Sequence, residues 1–444
     1  MEGGVWGIVI IISAFMIQFL AFGTTATIGV YNMELLEYFP DSTIGVSLIA
    51  SLNYGIFLGS GPIVSFLMTR FSYRKIAIFG SFLVVLGLLG MPLLPYIPTM
   101  CICFGVLAGF GSCCAYIPSH VLSGMYYDKN RSLATGVATS GSGLGGAVMP
   151  VVAGLLIEVY SWKGSLIVVA ALCLHMFIFS ALLRMPDPNL NSKEEDAKDV
   201  DEAANKLGQA VTKKKRKGPK SARHVYIFTH YGFNIYFLSN IMWNAACSIV
   251  SSFAPEYLRS QGLTSMEAAI LLGAFGFGCF VGGVLGGILG NVSWVNRQVL
   301  YTLANIFMGC VLIAFPSMGH RDLYLICLLV SGLAFGIILG LLIIVLTDLI
   351  GVESLSNGLG YLMLSNGIGT FIGPPLAGIL KETTGGFESG IVLAGVLCVC
   401  GGLIMLLMPC GDMFNKLCAT CCCCCKKPKT QETVSLEGME FAAC

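Results

Sequence analysis

Twelve stretches of mainly apolar residues recur along the chain, at roughly 5–31, 43–68, 76–97, 99–121, 132–157, 164–184, 226–253, 266–290, 298–316, 322–347, 355–380 and 389–410. Each is near the roughly 20 residues that a helix needs to cross a hydrocarbon core. Lipid offers no hydrogen-bond partners, so a spanning segment must satisfy its own backbone, and a helix does so. Soluble domains carry about 25% charged residues, whereas this chain has 11%, with 56% hydrophobic residues and a mean hydropathy of +0.82. The expected fold is an all-α membrane protein with twelve transmembrane helices. The first stretch lacks a basic leader and is too long for a cleavable signal peptide.

Lysine and arginine placement sets orientation, because cytoplasmic loops hold the positive excess. With the amino terminus inside, Arg70, Arg74, Lys75, Lys129, Arg131, Arg184, Arg297, the 185–225 segment and the tail after 411 together hold 21 of the 25 Lys and Arg. Lys163, Arg259, Arg321 and Lys381 remain outside. Both termini are therefore expected in the cytosol, where the sequons at Asn130 and Asn291 would stay unglycosylated.

The two ends of the chain also resemble each other. Gly143, Gly145, Pro150, Ala153, Gly154 and Glu158 recur as Gly367, Gly369, Pro374, Ala377, Gly378 and Glu382, an offset near 223 residues. Ser132, Leu133 and Gly136 recur as Ser354, Leu355 and Gly358, and Gly55, Gly59 and Arg74 as Gly278, Gly282 and Arg297. Spans two, five, eight and eleven thus hold paired positions. This gives a six-helix half over 1–184, a linker over 185–225, a second half over 226–410 and a tail over 411–444. Such a parallel repeat resembles the major facilitator superfamily, whose substrate site lies between the halves near mid-membrane.

The segment 126–145 narrows the resemblance. Lys129, Arg131, Leu133, Ala134, Gly136, Ala138, Gly141 and Gly145 fall on the signature that opens the fifth span of monocarboxylate transporters, while Tyr127 and Asn130 depart from it. Its glycines, read as roughly one face, would let membrane helices approach closely. Glu2-Gly3-Gly4-Val5-Trp6, Gly61-Pro62 through Arg74, Asp348 to Glu353 and Gly373-Pro374-Pro375 also resemble that family (solute carrier family 16 type). The resemblance implies a carrier of small organic solutes and leaves the solute open. Some relatives need a single-span ancillary glycoprotein for surface delivery.

In the proton-coupled branch of the family, a first-span lysine and an eighth-span Asp…Arg pair handle the carboxylate and its proton. Here those positions fall on Thr25, Cys279 and Gly283, none of them charged. A mid-membrane anion needs a counter-charge and a co-transported proton needs a titratable group, so a neutral or zwitterionic solute fits better. The expected substrate pocket comprises Thr25, Asn53, Tyr54, Phe57, Ser142, Asn244 and Asn366. His175 and His120 are read as packing histidines with a proton relay as the alternative, and Glu158 and Glu382 as solvated helix ends.

Arg70, Arg74, Lys129, Arg131, Asp348 and Glu353 form the expected cytoplasmic gate. Arg131 opens helix five, where the helix dipole disfavours a cation, so a cross-half acidic partner, Glu353 or Asp348, is expected, against a purely topogenic role. Gly136, Gly141, Gly145 and Pro374 are expected to pack helices. The KKKRK run at 213–217 fits orientation or binding of anionic lipid. Cys418 and Cys421, Cys422, Cys423, Cys424 and Cys425 follow the last span, as palmitoylated cysteines do, with metal binding or no role as alternatives.

The expected function is facilitated, alternating-access transport of a carboxylate-bearing or zwitterionic metabolite at the plasma membrane. Proton-linked monocarboxylate symport, with the proton as co-substrate, and a transport-inactive interaction or sensing protein remain open. No nucleophile–base pair or metal cluster appears in the spans, so neither an enzyme nor a cofactor is expected, and no nucleic acid partner.

Overall fold

Apolar sequence, glycine punctuation and proline positions together explain where the helices run and break. The computed structural model describes residues 4–40, 42–185, 228 and 230–408. The 185–225 linker beyond its first residue and the whole 411–444 tail, with Cys418 and Cys421–Cys425, lie outside the described residues. Among those described there is no strand. The helices are α1 (Gly4–Asn32), α2 (Leu48–Gly59 with Gly61–Arg70), α3 (Tyr73–Leu93) and α4 (Ile97–Met125). A continuous segment Arg131–Leu182 follows. It breaks at Ser161 (φ 58°, ψ 173°), giving α5 (131–160) and α6 (162–182). Then come α7 (Tyr231–Ser260), α8 (Ser265–Asn291), α9 (Arg297–Ala314), α10 (Arg321–Ile350), α11 (Leu355–Thr384) and α12 (Glu388–Met405).

The breaks have local causes. The two parts of α2 meet at 45°, where Ser60 lies between Gly59 and Gly61-Pro62 and the proline cannot donate to the preceding turn. A left-handed serine at 161 is unfavourable for an L-residue, but it lets the chain reverse. Gly141 and Gly145 of α5 pack on Phe15 and Phe19 of α1 in parallel. Tyr31 and Thr24 of α1 instead meet Ser165 and Cys173 of α6 in antiparallel order.

Within the first half, α1 packs on α4, α5 and α6, and α3 on α4. Within the second, α7 packs on α11 and α12, α8 on α10, and α9 on α12. The halves meet through α5 against α8 and α10, and through α2 against α11. Membrane helices approach this closely only where side chains are small. A Cβ on Gly136 of α5 would lie 2.5 Å from Gly287 Cα and 2.7 Å from the Gly283 oxygen of α8. One on Gly367 of α11 would lie 2.7 Å from Gly59 Cα of α2.

These contacts correct the expectation of a single glycine face. At 100° per residue, Gly136 points well away from Gly141 and Gly145. Gly136 and Gly143 meet α8, whereas Gly141 and Gly145 meet α1. The motif therefore serves both the interior of one half and the seam between halves. Pro374 sits inside α11 beside Gly373, which packs on Ala245 of α7.

Candidate functional site

The seam is tightly packed at one end. At the end carrying Arg70, Arg131, Arg297 and Asp348, backbone-to-backbone packing joins α5 to α8 and α2 to α11. Two uncharged polar links cross the seam there. Asn291 Nδ2 donates to Asn130 Oδ1 at 2.8 Å. Ser65 Oγ donates to the Ser356 carbonyl at 2.8 Å and reaches Asn357 Oδ1 at 3.1 Å. Towards the other end a Cβ on Gly55 of α2, Gly273 of α8 or Gly378 of α11 would meet nothing within 4 Å, while α5 and α8 stay in contact as far as Ala147 and Gly276. A cavity of about 590 Å³ lies at that end within the second half, between α7 and α11, bordered by Glu256, Lys381 and Glu382.

The expected charged gate takes a different form. Arg131 does not reach Glu353 or Asp348. Its Nε donates to the carbonyls of Gly124 and Tyr127 at 2.8 and 3.0 Å, and its Nη2 pairs with Asp128 at 3.0 Å. The reason is local, because the carbonyls at the end of α4 and in the loop after it lack intrahelical partners and lie within reach of the arginine. Asp348 is taken by Arg297 at 3.0 Å, and Arg297 Nε donates to the Gly290 carbonyl at the end of α8. Both arginines thus cap the helix before them. Arg70 stands over the Phe66 ring at 5.5 Å, and Arg74, Lys129 and Glu353 are exposed.

The expected pocket residues divide between two polar clusters. In the second half, fully buried Asn240 accepts from Trp243 Nε1 at 2.6 Å, and its Nδ2 donates to Ser365 Oγ at 2.9 Å and to Asn366 Oδ1. Asn244 donates to Asn366 Oδ1 at 2.7 Å. In the first half, Ser142 Oγ lies 3.3 Å from Gln18 Oε1 and 3.4 Å from Tyr116 Oη. Phe57 packs edge-on against Tyr116, with ring centroids 5.3 Å apart. Asn53 turns inward to the Phe104 carbonyl at 2.7 Å, and Thr25 donates to the Ala21 carbonyl of its own helix. Tyr54 is half-buried. Asn53 and Thr25 are thereby bonded within the first half.

Gln18, Asn240, Trp243 and Tyr116 carry more of these clusters than their sequence positions suggested. A signal was available: Ser142 and Ser365 are 223 residues apart and Gln18 and Asn240 are 222 apart, so the amide–serine contact repeats in each half. The two sides differ in saturation. Asn240 spends its donors and acceptor within the cluster, whereas Gln18 Nε2 has no partner among the described residues. No Asp, Glu, Lys or Arg is among the buried polar residues described. The interior of both halves is held by amides, hydroxyls and rings. His175, expected to be packed inside, is exposed, and its Nδ1 faces the Leu172 carbonyl at 3.0 Å. Glu158 and Glu382 are exposed, as helix-end carboxylates were expected to be.

Residues 10–353 match the family model of the Major Facilitator Superfamily. The chain is 27% identical to human monocarboxylate transporter 14, covering 92% of this chain and 91% of that protein. It is 28% identical to monocarboxylate transporter 13 of Bos taurus, covering 92% and 90%, and 26% identical to mouse monocarboxylate transporter 9, covering 94% and 95%. Among solved structures it resembles the transporter FucP in the outward conformation, with a TM-score of 0.68 and 14% identity over 92% of this chain and 99% of that one. It also resembles the proton:xylose symporter XylE, with a TM-score of 0.70 and 14% identity over 90% and 95%.

Proposed function

Because the chain belongs to the Major Facilitator Superfamily, we propose that it moves a small neutral or zwitterionic organic metabolite, carboxylate-bearing or not, by rocking its halves about α2, α5, α8 and α11. The observation that carries this reading is the absence of any Asp, Glu, Lys or Arg from the buried polar residues described. A bare carboxylate brought to mid-membrane would find amide and hydroxyl donors but no counter-charge, and an isolated ion in low dielectric is costly. A zwitterion brings its own.

The positive-inside bias supports a cytosolic Arg131 end and cytosolic termini. The contacts at that end support a carrier closed on its inner side. The inner gate consists of glycine contacts between α5 and α8, and between α2 and α11, fastened by Asn130–Asn291 and by Ser65 on Asn357. Arg131 and Arg297, with Asp128 and Asp348, brace the helix ends that move. Arg70, Arg74, Lys129 and Glu353 supply the charged rim. A plasma-membrane location and an ancillary single-span partner follow the monocarboxylate transporter resemblance, as does the absence of enzymatic activity.

The test is uptake of a labelled panel of neutral, zwitterionic and anionic metabolites in a low-background cell, with internal pH held constant. Saturable uptake of a neutral or zwitterionic member, insensitive to external pH, is expected. Strong stimulation of lactate uptake by external acid would instead favour proton-linked symport.

A further inference from the structure

His120 is the one histidine among the buried residues described, and its placement has a consequence for the inner gate. It is 2% exposed, and neither Nδ1 nor Nε2 has a hydrogen-bond partner among the described residues. Its ring packs edge-on against Tyr116, with centroids 4.4 Å apart. Tyr116, His120 and Gly124 recur every four residues on α4 and therefore share one strip of the helix. That strip faces the seam. Tyr116 lies beside Ser142 on α5, and a Cβ on Gly124 would be 3.4 Å from Ile343 of α10 and from Leu355 at the start of α11. His120 is thus held between a residue at the centre and a residue touching the opposite half, on the inner side of the closed gate.

Above it, Tyr116, Phe57 and Phe22 stack edge-to-face at 5.3 and 6.4 Å. This ring stack separates the imidazole from the outer end. Other titratable or charged groups on elements packed against α4 at this end are Arg70 on α2, Tyr73, Arg74 and Lys75 on α3, Arg131 on α5, Asp348 on α10, and Glu353 and Tyr361 at α11. The carboxylates among them, Asp348 and Glu353, are exposed at helix ends, and Asp348 is held by Arg297. α1 contributes no buried carboxylate. None of these supplies a buried counter-ion.

The geometry points to His120 as a proton-binding site read from the cytosol, by which internal acid holds the inner gate open. Resting on the alternating-access reading, this adds regulation to the same gate. When α5 leaves α8 and α11 leaves α2, the α4 strip faces cytosolic water and the imidazole can take a proton. Reclosing would then bury a cation with no partner, which is strongly unfavourable. An imidazole with an ordinary pKa of about 6.5 in the open state, and unable to bind a proton when closed, multiplies the open-to-closed ratio by about 11 at pH 5.5 but only about 1.1 at pH 7.5. The opening equilibrium should therefore rise about tenfold between those pH values.

Hydrogen–deuterium exchange of the full-length protein in lipid nanodiscs tests this without a substrate. Its failure is thus separable from a failure of the transport reading. After correction for intrinsic exchange, amides at the inner ends of α4, α5 and α11 should exchange about tenfold faster at pH 5.5 than at 7.5, the rise setting in below about pH 6.5. His120→Gln, which keeps a polar side chain without the titration, should abolish the rise. His120→Leu serves the same purpose if the glutamine variant folds poorly. A wild-type protein without the rise, a rise that sets in only below about pH 5, or a variant that retains the rise would overturn the assignment.

Discussion

Substituting alanine for Gly136 should alter the balance between conformations more than the fold itself. The added Cβ would stand 2.5 Å from Gly287 Cα, 2.7 Å from the Gly283 oxygen and 2.8 Å from Gly287 N, all backbone atoms of α8. Ordinary carbon contacts lie at about 3.5–4.0 Å, so α8 must withdraw by about 1 Å. Overpacking of that kind costs about 1–3 kcal/mol, which is about 5–150-fold in an equilibrium. Because α5 and α8 belong to different halves, the cost falls only on the state with the inner gate closed. Gly145→Ala is the contrasting case. Its Cβ would lie 2.9 Å from Phe19 Cα of α1, within one half, so both states suffer and the ratio is unchanged. Gly55→Ala meets nothing within 4 Å and should be neutral. Hydrogen exchange at the inner helix ends, read beside thermal unfolding, separates the three. Unchanged exchange in Gly136→Ala, or equal opening in Gly145→Ala, would refute the assignment of α5–α8 packing to the gate.

Replacing Asn240 by leucine strands Trp243 Nε1 and removes a donor from Asn366, so unfolding stability should fall by about 1–3 kcal/mol, visible as a lower thermal midpoint. A double-mutant cycle of Asn130→Ala with Asn291→Ala should give a coupling of about 0.5–1.5 kcal/mol in the gate-opening equilibrium, and zero coupling would remove that link from the gate. Glu267, ahead of the apolar part of α8, is held below the usual carboxylate range by the Thr264 N–H, then the Thr264 hydroxyl and the Arg321 charge. Its contribution is therefore present above about pH 4.3, the unfolded value, and is lost as pH falls through the lowered folded one. Glu267→Gln should thus flatten the acid limb of a melting-temperature profile below that pH.

The helices and their pairing were legible because lipid dictates length and apolarity, and because the repeat marks α2, α5, α8 and α11 as the pairs that meet. Charge partners were less legible. The helix dipole disfavours a cation at Arg131, but the carbonyls of Gly124 and Tyr127, at and just after the end of α4, satisfy the guanidinium before any distant carboxylate can. Polarity alone does not place pocket residues: Asn53 turns to a neighbouring backbone within its own half, to the Phe104 carbonyl. Pairs such as Asn240 with Ser365 join positions over a hundred residues apart, which local periodicity cannot express. The twofold offset could have linked them to Gln18 and Ser142. The gate links at Asn130–Asn291 and Ser65–Asn357 carry no charge and so gave no signal against a background of small polar residues.

The charge-free interior is tested most directly by proton movement itself. The purified carrier in proteoliposomes with an enclosed pH-sensitive dye can be given an inward lactate gradient, and separately a gradient of the neutral or zwitterionic solute that it takes up, at equal starting pH on both sides. The expected result is saturable solute entry with no dye response beyond that of protein-free vesicles in either case. Carrier-dependent acidification of the lumen that follows lactate entry would contradict it, and would require a proton-binding group working from both sides of the membrane.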